Sequence, residues 1–149
     1  MAGMIDDILR LDEPDFKSLV ETRILLELKI VSLAALRRTE KDLAAMKYAL
    51  ESYRDKVLNN EDAVQEDLLF HLAIAKASKN SSMNTFMLII TPEIITNFEK
   101  YHVCDSNQSK LGIEEHDNIF EAIKNQDPIK AREKMKVHFS VLYQYCNKN

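Results

Sequence analysis

Glycine is nearly missing from this chain, with two residues, Gly3 and Gly112, among 149. Average composition carries about 7% glycine, and a sandwich or barrel needs a turn signal every ~8–12 residues. That scarcity excludes an all-β architecture. It also excludes phosphate-cradling loops, since neither a Walker loop nor a GxGxxG turn can be built from two isolated glycines. Tryptophan is absent and there are three prolines, so little interrupts long helices. The two cysteines, Cys104 and Cys146, are too few for a disulfide framework and form no CxxC pair, which points to reduced thiols in a cytoplasmic protein. Long apolar runs are lacking as well. The stretch Met87-Leu88-Ile89-Ile90 is stopped by Thr91-Pro92, far short of the ~20 residues of a membrane span. The start shows no signal-peptide pattern, so neither membrane insertion nor export is expected.

What is present is a chain with 46% hydrophobic residues, enough for one compact core of roughly this length. Twenty basic against 24 acidic residues give a net charge of −4, which argues against a nucleic-acid face within these residues. The basic stretches at Arg37-Arg38 and Lys130–Lys136 are interrupted by acidic residues and read as solvated helix faces.

Periodicity predicts six helices. Met1–Glu13 has no sustained period and reads as a linker remnant, ending in the helix-start signal Glu13-Pro14-Asp15. The first helix spans about Asp15–Arg38 with the stripe Leu19, Leu26, Ile30, Leu33 and Ala34. Thr39 caps the second, which carries Leu43, Met46, Leu50, Tyr53 and Val57 and ends at Asn59-Asn60. The third covers about Glu61–Ser78 and the fourth about Ser82–Tyr101, which Pro92 should kink or split. After a polar loop at Cys104–Lys110, helices follow at about Leu111–Lys124 and, behind the Asp127-Pro128 cap, to about Tyr145. The expected fold is all-α, an antiparallel bundle.

The informative residues are polar ones on apolar stripes. Asp67 and His71 are four apart and share the face of Val64, Leu68, Ile74 and Ala75. His116 lies on the stripe of Ile113, Ile119, Phe120 and Ile123, and His138 on that of Ala131, Met135, Val141 and Leu142. Burying four ionisable groups costs several kcal/mol unless they are paired or hold an ion. One divalent cation satisfies all four, and an Asp oxygen with three imidazoles suits a borderline metal. The bland alternative is a metal-free Asp–His hydrogen-bond network. Arg23 is also out of place, beside Leu19, Leu26 and Ile30. It requires an anion, either Glu27 one turn on or a carboxylate ligand gripped jointly with the metal. Asn80 either caps the fourth helix or touches that ligand. His102 and Cys104 are two apart but lack partner residues, and Phe139, Tyr143 and Tyr145 read as packing residues.

Taken together, Arg23-x-x-x-Glu27 with Ala34-Ala35, Asp67-Leu-Leu-Phe-His71, Ala77-Ser78-Lys79-Asn80, Glu115-His116 before Ile119 and Ala122-Ile123, Asp127, Ala131 and Met135-Lys-Val-His138 resemble the FCD effector-binding domain. That is the C-terminal domain of FadR-subfamily GntR transcription regulators. The resemblance covers about Asp15–Tyr143, and Lys79 stands where the family has glycine. It implies six or seven helices around a central cavity holding a divalent metal, zinc above all with nickel or manganese as alternatives, on Asp67, His71, His116 and His138. It further implies a small carboxylate effector (a sugar acid, hydroxy acid or dicarboxylate) near Arg23 and Asn80, and a homodimer. DNA would be reached only through a winged helix-turn-helix domain, which does not precede Asp15 here; excision is the favoured explanation. The domain expectation is thus a linker over 1–14 and an FCD-type domain over 15–146. No enzymatic activity is expected; a metal-dependent enzyme, or an interaction module with a closed structural zinc site, are the competing readings.

Overall fold

The structure is a computed structural model and describes residues 2–10, 15–101 and 110–146. Seven helices and no strand are found among them: α1 (Ala2–Leu9), α2 (Phe16–Arg37), α3 (Glu40–Leu58), α4 (Val64–Ala77), α5 (Ser81–Tyr101), α6 (Lys110–Lys124) and α7 (Pro128–Cys146). α1 departs from the sequence reading. Its eight residues are too short for a stripe to repeat, and every side chain described in it is exposed. α4 starts at Val64 instead of Glu61, because the Asp62 carboxylate accepts the Val64 N–H at 3.0 Å and holds the preceding turn outside the helix. α5 runs through Pro92 unbroken. Pro14, His102 and Cys104 lie outside the described residues.

The helix starts follow local capping chemistry. Asp15 accepts the Ser18 N–H at 2.7 Å, Thr39 and Asp42 form a reciprocal capping box, and Asp127 accepts the Lys130 N–H at 3.0 Å ahead of Pro128. The ends are unusual. Asn60, Lys79 and Gln126 have φ of 57°, 56° and 54°, the left-handed conformation that normally selects glycine, and no described glycine adopts it. Asn60 and Gln126 terminate complete Schellman motifs: Glu61 N–H donates to Lys56 O and Asp127 N–H to Ala122 O. Lys79 is anchored by its ammonium, 2.7 Å from Asp42 Oδ2, so an ion pair supports the left-handed turn there.

α2 is the central element, packing on α4, α5, α6 and α7, while α3 lies on α4 and α6. Short connections and side-by-side packing make α3/α4, α4/α5 and α6/α7 antiparallel pairs. A continuous apolar core of Ile30, Val31, Met46, Phe70, Ile74, Met87, Ile119, Ile123 and Met135 joins them. Arg37 and Arg38 are not simply a solvated face. Arg37 Nη1 donates to Ser78 O (3.1 Å) beyond the end of α4, and the half-buried Arg38 donates through Nη2 to Lys124 O (2.6 Å) at the end of α6. Both satisfy carbonyls that helix termini leave unpaired.

A left-handed non-glycine residue costs about 1–2 kcal/mol, whereas glycine loses about 0.4–1 kcal/mol through the unfolded chain. Gln126→Gly is therefore expected to raise the thermal midpoint by roughly 1–4 °C. A midpoint below the parent's in a thermal melt would contradict the strain argument.

Candidate metal centre

Four helices each deliver part of the site. In α2 the buried face runs through Leu19, Arg23, Glu27, Ile30, Val31 and Ala34, so Arg23 and Glu27 sit one turn apart in the middle of an apolar stripe. α4 contributes Asp67 and His71 from its buried face. Glu115 and His116 enter from α6, and His138, Phe139 and Tyr143 from α7. All these side chains are buried.

Asp67, His71, His116 and His138 each offer one ligand atom, and the four atoms lie within 4.8 Å of one another. Two ligands ~2.1 Å from one ion are at most ~4.2 Å apart, so the observed spread is nearly a coordination sphere. Asp67 Oδ1, His71 Nε2, His138 Nε2 and both ring nitrogens of His116 are buried without a hydrogen-bond partner. Asp67 Oδ1 is 2.8 Å from His116 Nε2 and 3.2 Å from His71 Nε2. These separations are short enough for hydrogen bonds but the atoms are not aligned for them. Five orphaned polar atoms would cost about 1–3 kcal/mol each in a metal-free network. The donor set fits a divalent ion on that ground.

Behind the ligands stands a second layer that the sequence reading did not assign. Glu27 Oε1 contacts His71 Nδ1, and Glu115 Oε1 lies 3.0 Å from His138 Nδ1. Carboxylates in this position orient metal-binding imidazoles and fix their tautomer. The other Glu27 oxygen, Oε2, accepts from Arg23 Nε at 2.5 Å. Arg23 is further held by Nη1 donating to Tyr143 OH (3.1 Å) and by the Phe139 ring, 5.1 Å from the guanidinium carbon. Arg23 Nη2 is buried without a partner. Glu27 was legible as an intrahelical partner of Arg23; its second contact, to His71, depends on how α2 packs on α4. Asn80 caps α5, its Oδ1 accepting the Met83 N–H at 3.0 Å.

The electrostatics follow from this arrangement. Burial opposes the charged form of Asp67, but the His116 and His71 imidazoles outweigh it and hold the carboxyl well below its usual range. Glu27 is lowered too, burial being overcome by His71 and Arg23. Burial likewise opposes protonation of His71, yet the Glu27 carboxylate, with Asp67 close by on the other side of the ring, lifts it to about 9. His138 is pushed well below its usual value by burial, then by His116 and His71. Glu115 is raised to about 7, chiefly by burial and then by Asp67 and Glu114.

The FCD domain profile matches residues 18–141. The chain belongs to the FCD domain family. It is 30% identical over 136 residues to the HTH-type transcriptional regulator LutR of Bacillus subtilis, a match covering 89% of this chain and 62% of LutR. It is 28% identical over 140 residues to the putative L-lactate dehydrogenase operon regulatory protein of Escherichia coli, covering 91% of this chain and 53% of that protein. This FCD chain thus spans between half and two thirds of the length of these curated relatives. Among solved structures, Streptococcus agalactiae GntR superposes with a TM-score of 0.72 at 26% identity, over 85% of this chain and 57% of that one.

His71 binds its proton more tightly in the folded protein (about 9) than in the unfolded chain (about 6.5). Its contribution to stability is full below pH ~6.5 and is lost as pH rises through 9. The thermal midpoint of chelator-stripped protein is therefore expected to fall between pH 7 and 9, and His71→Asn to flatten that slope. A parent midpoint constant across this window would refute the coupling of His71 to Glu27 and Asp67.

Proposed function

We propose that this FCD domain is the ligand-sensing part of a GntR-type transcription regulator, binding a divalent metal and a small carboxylate. The observation that carries the reading is the group of orphaned ligand atoms on Asp67, His71, His116 and His138, with the orphaned Arg23 Nη2 in the same interior. A divalent ion there, zinc in the first instance with nickel or manganese as alternatives, would supply a positive anchor for an effector carboxylate oxygen. Arg23 would hold the second oxygen through Nη2, while its other contacts keep the guanidinium in place. Asn80 belongs to the same proposal only as a residue at the start of α5, where its carboxamide oxygen is committed to the cap.

Relatives named as regulators support a non-enzymatic role, and one of them is named for an L-lactate dehydrogenase operon, which favours hydroxy acids among candidate effectors. DNA would be engaged through a domain outside this chain, as a homodimer and in the cytoplasm. No helix among the described residues is long and apolar enough to cross a membrane. Signal transmission requires that the effector prefer one helix arrangement over another, since equal affinity for both shifts nothing.

Elemental analysis of His138→Ala is expected to show bound metal reduced by at least tenfold, with a lower thermal midpoint. Unchanged metal content would end the four-ligand assignment. A thermal-shift screen of hydroxy and sugar acids against zinc-loaded protein is expected to raise the midpoint for at least one carboxylate. Arg23→Met is expected to abolish that shift while retaining metal, and calorimetry showing undiminished carboxylate affinity would remove Arg23 from the effector site.

A further inference from the structure

We infer that Glu27 locks the tautomer of His71 and so keeps Nε2 free to bind metal, while Arg23, which makes no contact with the ligand atoms, claims the other Glu27 oxygen and dictates that position 27 be a carboxylate. The inference rests on the metal reading proposed above. It starts from the way Glu27 is shared: one carboxylate oxygen faces His71 Nδ1 and the other accepts from Arg23 Nε. A carboxylate only accepts, so it draws the neutral-ring proton to Nδ1 and leaves the lone pair on Nε2, the atom directed toward the other three ligands. Arg23 has no acceptor atom and cannot lose its proton, so whatever occupies position 27 must present an oxygen to it.

That asymmetry turns a nearly isosteric change into a decisive one. In Glu27→Gln the amide oxygen is claimed by Arg23 Nε, which turns the NH₂ group toward His71. His71 Nδ1 must then accept, its proton moves to Nε2, and the ring loses its ligand lone pair although all four ligand residues remain. Glu115 provides the contrast. It faces His138 Nδ1 in the same way, but no described hydrogen bond or ion pair ties it to a second donor. Glu27 and Arg23 are accordingly positioning residues.

Zinc affinity measured by chelator competition is the test, with circular dichroism confirming the fold. Glu27→Gln is expected to weaken zinc binding by about 10–100-fold, within the range for an orienting partner. Adding Arg23→Met to Glu27→Gln frees the amide to turn and should recover several-fold of the lost affinity. Wild-type zinc affinity in Glu27→Gln, or no recovery in the double variant, overturns the lock while leaving the metal reading intact. Failure of the parent to take up zinc overturns both. A measurement independent of variant folding is the ring-nitrogen NMR spectrum of zinc-loaded parent protein: a proton on His71 Nδ1 is expected, and a proton on Nε2 rejects the inference.

Discussion

The Glu27 carboxylate, bonded on one side to a guanidinium and on the other to an imidazole, is the interaction on which the interior of this domain depends. Arg23 is fully buried and permanently charged, and placing such an ion in a core costs several kcal/mol even after relaxation. Glu27 offsets that cost, but a carboxylate with two lone-pair-bearing oxygens needs a second donor, and His71 provides it. His71 in turn faces Asp67, which faces His116. Compensation is therefore handed along a row of residues from α2 to α4 to α6. Removing any one member strands its neighbours, which is why these polar residues belong to the fold as much as to the site.

Much of this was readable from residue spacing. The stripes on α2, α3, α4, α6 and α7 follow from local periodicity, and His116 and His138 stood out because each interrupts an otherwise apolar face. Asp67 and His71, four apart, could be placed together without knowing any packing. What could not be read depends on helix-to-helix contact. Glu115 adjoins His116 in sequence but serves His138 across the α6–α7 interface. Tyr143, read as a packing residue, is both that and a hydrogen-bond partner of Arg23. Arg37 and Arg38 gave a solvated reading because their acceptors, the carbonyls of Ser78 and Lys124, lie at ends of other helices. Backbone acceptors carry no sequence signature. α1 escaped for the opposite reason, having no buried face to leave a pattern.

The same helix that carries Arg23 and Glu27 near its middle carries Arg37 at its end, with Arg38 following. α2 thereby meets the metal-site helices twice, through buried side chains in the middle of the bundle and through arginine-to-carbonyl bonds at the ends of α4 and α6. A displacement of α4 against α2 at His71 would also have to accommodate the Arg37 bond to Ser78 O at their ends. Packed interiors are stiff and shift between discrete arrangements instead of deforming smoothly. α2 is in this way the element that contacts both the site and the ends of the two neighbouring helices.

Charge balance extends this dependence from the fold to the ligand. A bound divalent ion and Arg23 would bring three positive charges against the two negative charges of Glu27 and Asp67. With the three histidines neutral as ligands, this group carries one positive charge in excess. In a buried site such an excess is costly, so the metal-loaded interior favours an anion, and a monocarboxylate restores neutrality. Glu115, which faces His138 Nδ1 from behind the ligands, is the other carboxyl close enough to share in that compensation.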